Sequence, residues 1–513
     1  MKKQLFSIAT VLTVLFSACN KHEETNHVQQ EVVLVEKANP EAVPQGNSLD
    51  KLKLDQIIIS KLESNNEFHW ENVDMKTLWS AIVESDQIVA IGYQPADAGD
   101  ISSKIHTVNV QAGAYKKVHD ELKKFILEEL NETASASVQW NDILIEDDPI
   151  LPILTLRLTD KTILTKLRNL QNVRYLEPMD YWPNDLNRAG SGCDGSTYAL
   201  SSIDWTTVTP GALVPWNFNN QNIPTAWNVS QGAGITIGVI DAGLSTSQSL
   251  LGSLFNNGDS NVGRAVSTDY TLGTSAYNSC THGTSMCGLA AGPRNNQNAT
   301  TGVAYKSGLH FIRAANDVVL DASSEKTATK NAFIKMGNRS DVRIISLSMG
   351  TPFGSGVLKD GADYANNLGK TIFAAAGTSY NLTSWWGVIY PAAYSACIAV
   401  TGVKENGSKC ASCHDGSQVL YTITMERNTN SSRNSLSLPA SGTAPIYIGG
   451  SSCATATAAG IAALVLSTKP NMSKAQLMTC LTNTAQFYPV KNSTKGYGNL
   501  NASAAVNYAI ANY

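Results

Sequence analysis

The chain reads as α/β: a mostly parallel sheet flanked by helices, preceded by a small α+β domain. Three observations predict this. At 513 residues the chain is too long for one ordinary domain, so two folded units plus tails are expected. Beyond residue 225, short β-branched runs alternate with helical stretches, the pattern of a parallel sheet covered on both faces. Between the two units, residues 183–224 are rich in Pro, Gly, Ser, Asn and Trp, as a connector and domain entry should be. Composition agrees with a globular protein, at 43% apolar and 16% charged. The net charge of -4, with no Lys/Arg block, argues against a nucleic-acid partner.

The first element is a targeting segment, residues 1–18. Lys2 and Lys3 precede an apolar stretch over residues 5–16, and small residues Ser17 and Ala18 follow. The tetrad Phe16-Ser17-Ala18-Cys19 resembles a bacterial lipobox, which makes Cys19 a lipidation candidate. The plainer reading is an ordinary signal peptide with Cys19 a bystander. Past this segment no apolar run approaches the ~20 residues a membrane span needs. Residues 19–50 are polar and low in aromatics and read as a flexible tether.

Residues 51–182 read as the α+β unit. Leu154, Leu156 and Leu158 alternate along a strand. Thr159 or Asp160 can cap a helix whose one face carries Ile163, Leu164, Leu167 and Leu170. Residues 173–176 form a further short strand. In the larger unit, residues 225–513, strand runs fall at 235–240, 342–347, 371–375 and 397–403. Helical stretches at 330–336 and 358–367 precede some of them. In such sheets, active-site groups gather at the carboxyl ends of strands.

Nine cysteines are present. Setting Cys19 aside leaves an even number, and export implies an oxidising compartment, so disulfides are expected with unreadable connectivity. Cys410 and Cys413 form a Cys-x-x-Cys followed by His414 and Asp415. A metal or redox site is open, but a lone motif of this kind in an exported chain favours a structural disulfide.

Asp241 ends an apolar strand run, where a charge is costly unless paired. His282 lies in Thr-His-Gly-Thr-Ser, and Ser452 in Gly-Gly-Ser-Ser-Cys-Ala-Thr-Ala. Alone, each has a bland reading: a turn, a structural His, a small-residue helix. Their order Asp, His, Ser on an α/β pattern is one of the arrangements of a catalytic triad.

With these motifs the sequence resembles the subtilisin (subtilase) family of serine peptidases. Val239-Ile240-Asp241-Ala242-Gly243, His282-Gly283-Thr284 and Gly450-Ser451-Ser452-Cys453-Ala454 are similar to its three triad motifs. Gly302-Val303-Ala304, Ser346-Leu347-Ser348-Met349-Gly350, Tyr390-Pro391-Ala392, Lys469-Pro470-Asn471-Met472-Ser473 and Gly496-Tyr497-Gly498 also look like family blocks. The likeness covers residues 225–513. Residues 151–178 are similar to the end of the family's inhibitory propeptide.

The resemblance implies a catalytic triad of Asp241, His282 and Ser452. It implies a substrate strand at Ser348, Met349 and Gly350, and a pocket wall at Ala375, Ala376 and Gly377. The oxyanion would be held by the Ser452 backbone N–H and residue 378. There the family normally has Asn and this chain has Thr378, with Asn381 a nearby substitute donor. In subtilisin itself, the type enzyme of the family, loss of that Asn is known to cost about 10²–10³ in turnover. Ala242, Ser451, Cys453 and Ala456 are further departures, none of which removes a triad member.

The function implied is a secreted serine endopeptidase, a self-processed zymogen acting on extended polypeptides. Its own propeptide, residues 51–182, would inhibit it, and the cut would fall in the connector, between about 179 and 224. No cofactor is required and no metal ligand is assigned. The family often holds structural calcium, but its ligands do not match residue by residue here. The chain is expected to be monomeric, exported, and in contact with a membrane only through a lipid on Cys19. Two rivals stand: a non-catalytic subtilase-fold binding lipoprotein, motivated by Thr378 and Ala242, and a thiol–disulfide protein using Cys410 and Cys413.

Overall fold

The computed structural model describes residues 34–133, 136–184, 192–193, 198–379 and 387–513. The lipobox cysteine Cys19 and Asn381 lie outside them. The N-terminal domain is a four-stranded antiparallel sheet in the order Leu144–Asp147, Ile153–Arg157, Ile88–Tyr93, Val173–Pro178. Helices Lys51–Asn65, Met75–Val83, Gly113–Thr133 and Lys161–Arg168 accompany it. Aspartates start three of them. Asp50 accepts from Lys53 N, Asp74 from Thr77 N, and Asp160 from Thr162 N and Ile163 N, each satisfying amides that have no partner within the helix. Of the two caps the sequence allowed, Asp160 is the one used.

Strand Ile153–Arg157 differs from a one-faced strand. Leu154, Leu156 and Leu158 pack with Ile163, Leu164 and Leu167, as the alternation predicts. Ile153, on the other face, is equally buried, in a cluster with Val357, Tyr364 and Ile334 of the C-terminal domain. The sheet is therefore sandwiched between its own helices and those of the second domain. Residues 34–50, read as part of a tether, run along this domain: Gln171 N donates to Val35 O and Lys37 N to Asn169 O, both at 2.7 Å.

The C-terminal domain holds a seven-stranded, wholly parallel sheet. Its order is Val419–Glu426, Cys397–Lys404, Thr371–Ala375, Val342–Leu347, Thr236–Asp241, Gly308–Arg313, Val266–Tyr270. Its inner strands Thr236–Asp241, Val342–Leu347 and Thr371–Ala375 are buried on both faces and rich in apolar and β-branched residues, as sheets with helices on each side require. The chain order reverses beside Thr236–Asp241, so the crevice at the carboxyl ends of that strand and Val342–Leu347 is where a site is expected.

Helix Gly450–Thr468 passes through the core of this domain. By length and hydropathy it could cross a membrane, but 89% of its apolar window is buried within the fold. Its run of Ala and Gly lets the neighbouring strands and helices approach closely. The domain also takes in part of the connector. Asp204 accepts from Arg427, Arg433 and the Tyr447 hydroxyl. Strands Trp205–Val208 and Ala212–Pro215 pair as a hairpin, and the Trp216 indole donates to Asn434 O at 2.9 Å.

Candidate active site

Three elements meet at the carboxyl edge of the sheet. Asp241 is the last residue of strand Thr236–Asp241, and its carboxylate is fully buried. The next amide, Ala242 N, donates to Asp241 Oδ1 at 2.8 Å. His282 opens helix His282–Ala291 and is buried too. Its Nδ1 lies 2.8 Å from Asp241 Oδ1 and 3.0 Å from Oδ2. A carboxylate only accepts, so Nδ1 carries a proton, and in the neutral imidazole Nε2 keeps its lone pair. Burial pulls the His282 pKa down, but the facing Asp241 carboxylate outweighs it, with a contribution from Asp317, and holds the imidazole above its ordinary value.

Ser452 is the third residue of helix Gly450–Thr468 and is half-buried. Its position in the first turn places its backbone N–H among those with no partner within the helix, at the positive end of the helix dipole. Ser348 Oγ donates to Ser452 O at 3.3 Å, which ties the predicted substrate strand to the serine helix. Met349 is buried, and Gly350 is bonded through its backbone to Val318 and Leu320.

The opposite wall is the end of strand Thr371–Ala375 and the turn after it. Ala375 and Ala376 are buried, and Ala376 N donates to Val400 O. Gly377 takes φ +124°, a backbone region that side-chain-bearing residues avoid, and this turns Thr378 toward the serine helix. The Thr378 hydroxyl accepts from Ser451 N at 2.9 Å and lies 3.0 Å from Ser451 Oγ. Ser451 Oγ in turn accepts from Gly377 N at 3.0 Å. Gly450, at φ +73°, leaves the room: a Cβ there would come 2.4 Å from Thr378 Oγ1. The residue that stands where the family has Asn is thus bonded to the neighbour of Ser452.

Some neighbours were not legible in the sequence. Cys193 and Cys280 form a disulfide, and Cys280 precedes His282 by two positions. It brings the connector to the histidine: a Cβ on Gly192 would lie 3.1 Å from His282 Cδ2. The even cysteine count signalled that pairs exist, not which. Cys410 and Cys413 form the second disulfide. Cys287, Cys397, Cys453 and Cys480 are free thiols. Among the described residues no group of three or more His, Cys, Asp or Glu is placed to hold a metal ion.

The sequence profile of the subtilase family matches residues 232–499. Thermitase from Thermoactinomyces vulgaris is 29% identical over 286 residues, 56% of this chain and 93% of that protein. Subtilisin DY from Bacillus licheniformis is 30% identical over 269 residues, 50% of this chain and 85% of that protein. Among solved structures, MycP1 from Mycobacterium smegmatis is 19% identical with a TM-score of 0.45, covering 59% of this chain and 87% of that one. With the profile spanning more than half of its length, the chain belongs to the subtilase family of serine peptidases.

Proposed function

We propose that this subtilase is an exported serine endopeptidase that cuts extended polypeptides with Asp241, His282 and Ser452 as its triad. The observation that carries the reading is the two-oxygen grip of Asp241 on His282 Nδ1, at 2.8 and 3.0 Å.

A serine hydroxyl is a poor nucleophile at neutral pH and needs a base. His282 Nε2 takes the Ser452 proton as Oγ attacks the scissile carbonyl, then passes it to the leaving amine. Asp241 keeps the imidazole in that tautomer and stabilises its cation. The developing oxyanion is held by the Ser452 amide and the Thr378 hydroxyl, favoured by the helix dipole. The substrate backbone lies along Ser348, Met349 and Gly350, with the side chain before the cut against Ala375, Ala376 and Gly377.

The N-terminal domain is the inhibitory propeptide of a zymogen. Support comes from its polar lock on the other domain. Glu177 accepts from Ser355 Oγ and Gly356 N, Arg174 makes two bonds to Asp360, and the buried Lys330 is bonded to Asp148. These charged contacts flank an apolar one, in which Ile153 and Met179 pack with Ile334, Val357 and Tyr364. A lipid on Cys19 would hold the precursor at the cell envelope until the cut releases the catalytic domain as a monomer.

The test compares secreted wild type with Ser452→Ala by gel and N-terminal sequencing. Self-processing predicts that the wild type loses its first ~180–220 residues while the variant stays full length. Uncut chains of both, with no labelling of Ser452 by a fluorophosphonate, would hand the protein to the non-catalytic reading.

A further inference from the structure

The Cys-x-x-Cys motif and its neighbouring histidine have no place in the mechanism above, yet they lie against it. Strand Thr371–Ala375 ends just before Gly377, and the segment carrying Thr378 leaves the sheet. One support for that segment is Ser451. The other is the turn closed by the Cys410–Cys413 disulfide, in the connection between strands Cys397–Lys404 and Val419–Glu426. Ser379 N donates to Ser412 O at 2.8 Å and His414 N to Gly377 O at 2.9 Å, so Thr378 and Cys413 face each other as an antiparallel bridge.

His414 completes the contact from beneath and is buried. Its Nδ1 lies 3.0 Å from Gly387 O, a pure acceptor, so Nδ1 carries the proton. Nε2 then accepts from the Ser379 hydroxyl. One neutral imidazole therefore grips residues 379 and 387 at once. Burial keeps it neutral by pulling its pKa down to about 4. The fit leaves no slack: a Cβ on Gly377 would come 2.4 Å from His414 Nδ1. The turn itself is fixed to the sheet. Ala411 N donates to Glu426 Oε2 at 2.8 Å, and Cys413 is fully buried against Met425.

We infer that the Cys410–Cys413 turn and His414 are positioning elements for the oxyanion side of the active site, holding the Gly377–Ser379 backbone so that the Thr378 hydroxyl keeps its place on Ser451, the residue before Ser452. This rests on the proposed role of Thr378. A hydroxyl is shorter than the family's amide, so its donor atom depends more on where the backbone is held. Displacing a catalytic donor by about 1 Å can cost on the order of 10² in rate. The two sulfurs are bonded to each other and both cysteines are buried, as in a structural disulfide.

The experiment is a cycle of full-length variants, with kcat and KM on a peptide amide normalised by fluorophosphonate titration of Ser452. Thr378→Ala alone is expected to lower kcat by about 10². Cys410→Ser/Cys413→Ser and His414→Leu are each expected to lower kcat roughly tenfold with KM within about twofold. His414→Gln, which can still donate and accept, should recover most of the loss. In the Thr378→Ala background the same changes should cost less than about twofold, because the donor they position is gone. Normal kcat in titratable brace variants, a rise in KM alone, or losses that multiply in the double variants would overturn the inference while leaving Thr378 in its role. An unaffected Thr378→Ala would instead remove the oxyanion reading and the inference with it.

Discussion

The carboxylate of Glu177, at the end of the last strand of the N-terminal domain, accepts the amide of Gly356 at 2.7 Å across the domain boundary. Gly356 opens helix Gly356–Asn367, so the side chain occupies the positive end of that helix. Ser355 Oγ donates to Glu177 Oε1 at 2.7 Å. Burial nevertheless dominates and pushes the Glu177 carboxyl up to about 7, with these donors and Lys326 pulling the other way.

That shift has a sign. A carboxyl whose pKa is raised in the docked state binds its proton more tightly there than when free. Its contribution to docking is full below about pH 4.5 and is lost as pH rises through about 7. The two domains of the cut chain should therefore separate more readily at pH 8 than at pH 6, read as the dilution at which activity appears. Glu177→Gln, neutral throughout, should level the two. Equal release at both pH values in the wild type would refute the effect.

In the proposed triad, Asp241 is expected to set the acid limb of activity. Because its carboxylate holds the His282 pKa above the ordinary value, kcat/KM should rise with pH along a limb above about 6.5. Asp241→Asn should lower kcat by about 10⁴ and move that limb to lower pH. A limb that stays put in the variant would show that another group controls it.

Lys330 is fully buried on helix Ser323–Asn338 and is bonded to Asp148 and, at 3.0 Å, to Glu146. Removing Lys330 leaves Asp148 buried without its counter-charge, with only the Ile150 and Leu151 amides donating to Oδ1, and breaking such a buried pair costs about 3–5 kcal/mol. Lys330→Met should therefore weaken domain docking by about a hundredfold or more, while the separated C-terminal domain keeps its unfolding midpoint. A lowered midpoint in that domain alone would mean Lys330 stabilises its own helix instead.

The position of the cut can be bracketed. Asn184 N donates to Asp55 Oδ2 at 3.0 Å, so the chain is still part of the N-terminal domain there, whereas Cys193 is bonded to Cys280. We expect cleavage upstream of Cys193, and a catalytic fragment of the same size on reducing and non-reducing gels. A fragment that parts from the N-terminal domain only under reduction would place the cut after Cys193.

Much of this architecture was legible before any coordinates. Strand 371–375 is a continuous β-branched or apolar run and strand 342–347 is one broken only by Arg343 and Ser346, and both form as read. Asp241 and His282 stand in short motifs whose neighbours are local in sequence. What escaped depended on distant partners. Ile153 looks like the solvent face of a strand until Val357 and Tyr364 cover it. Lys330 reads as an exposed helix lysine until a second domain brings Asp148. His414 sits beside two cysteines in the sequence, but its imidazole is held by Ser379 and Gly387, 35 and 27 residues away. Only tertiary packing joins such groups.

The Cys193–Cys280 bond closes a covalent ring with a sequence separation of 87 residues, and Asp241 lies inside it. A ring of this size removes much of the freedom of the denatured chain, on the order of 4–5 kcal/mol. The segment that carries Asp241 thus draws part of its heat tolerance from the redox state of its surroundings. A polypeptide still in a reducing cytoplasm would lack that reserve. It would gain it only on reaching an oxidising space, so the proposed export would also be the step that hardens the enzyme.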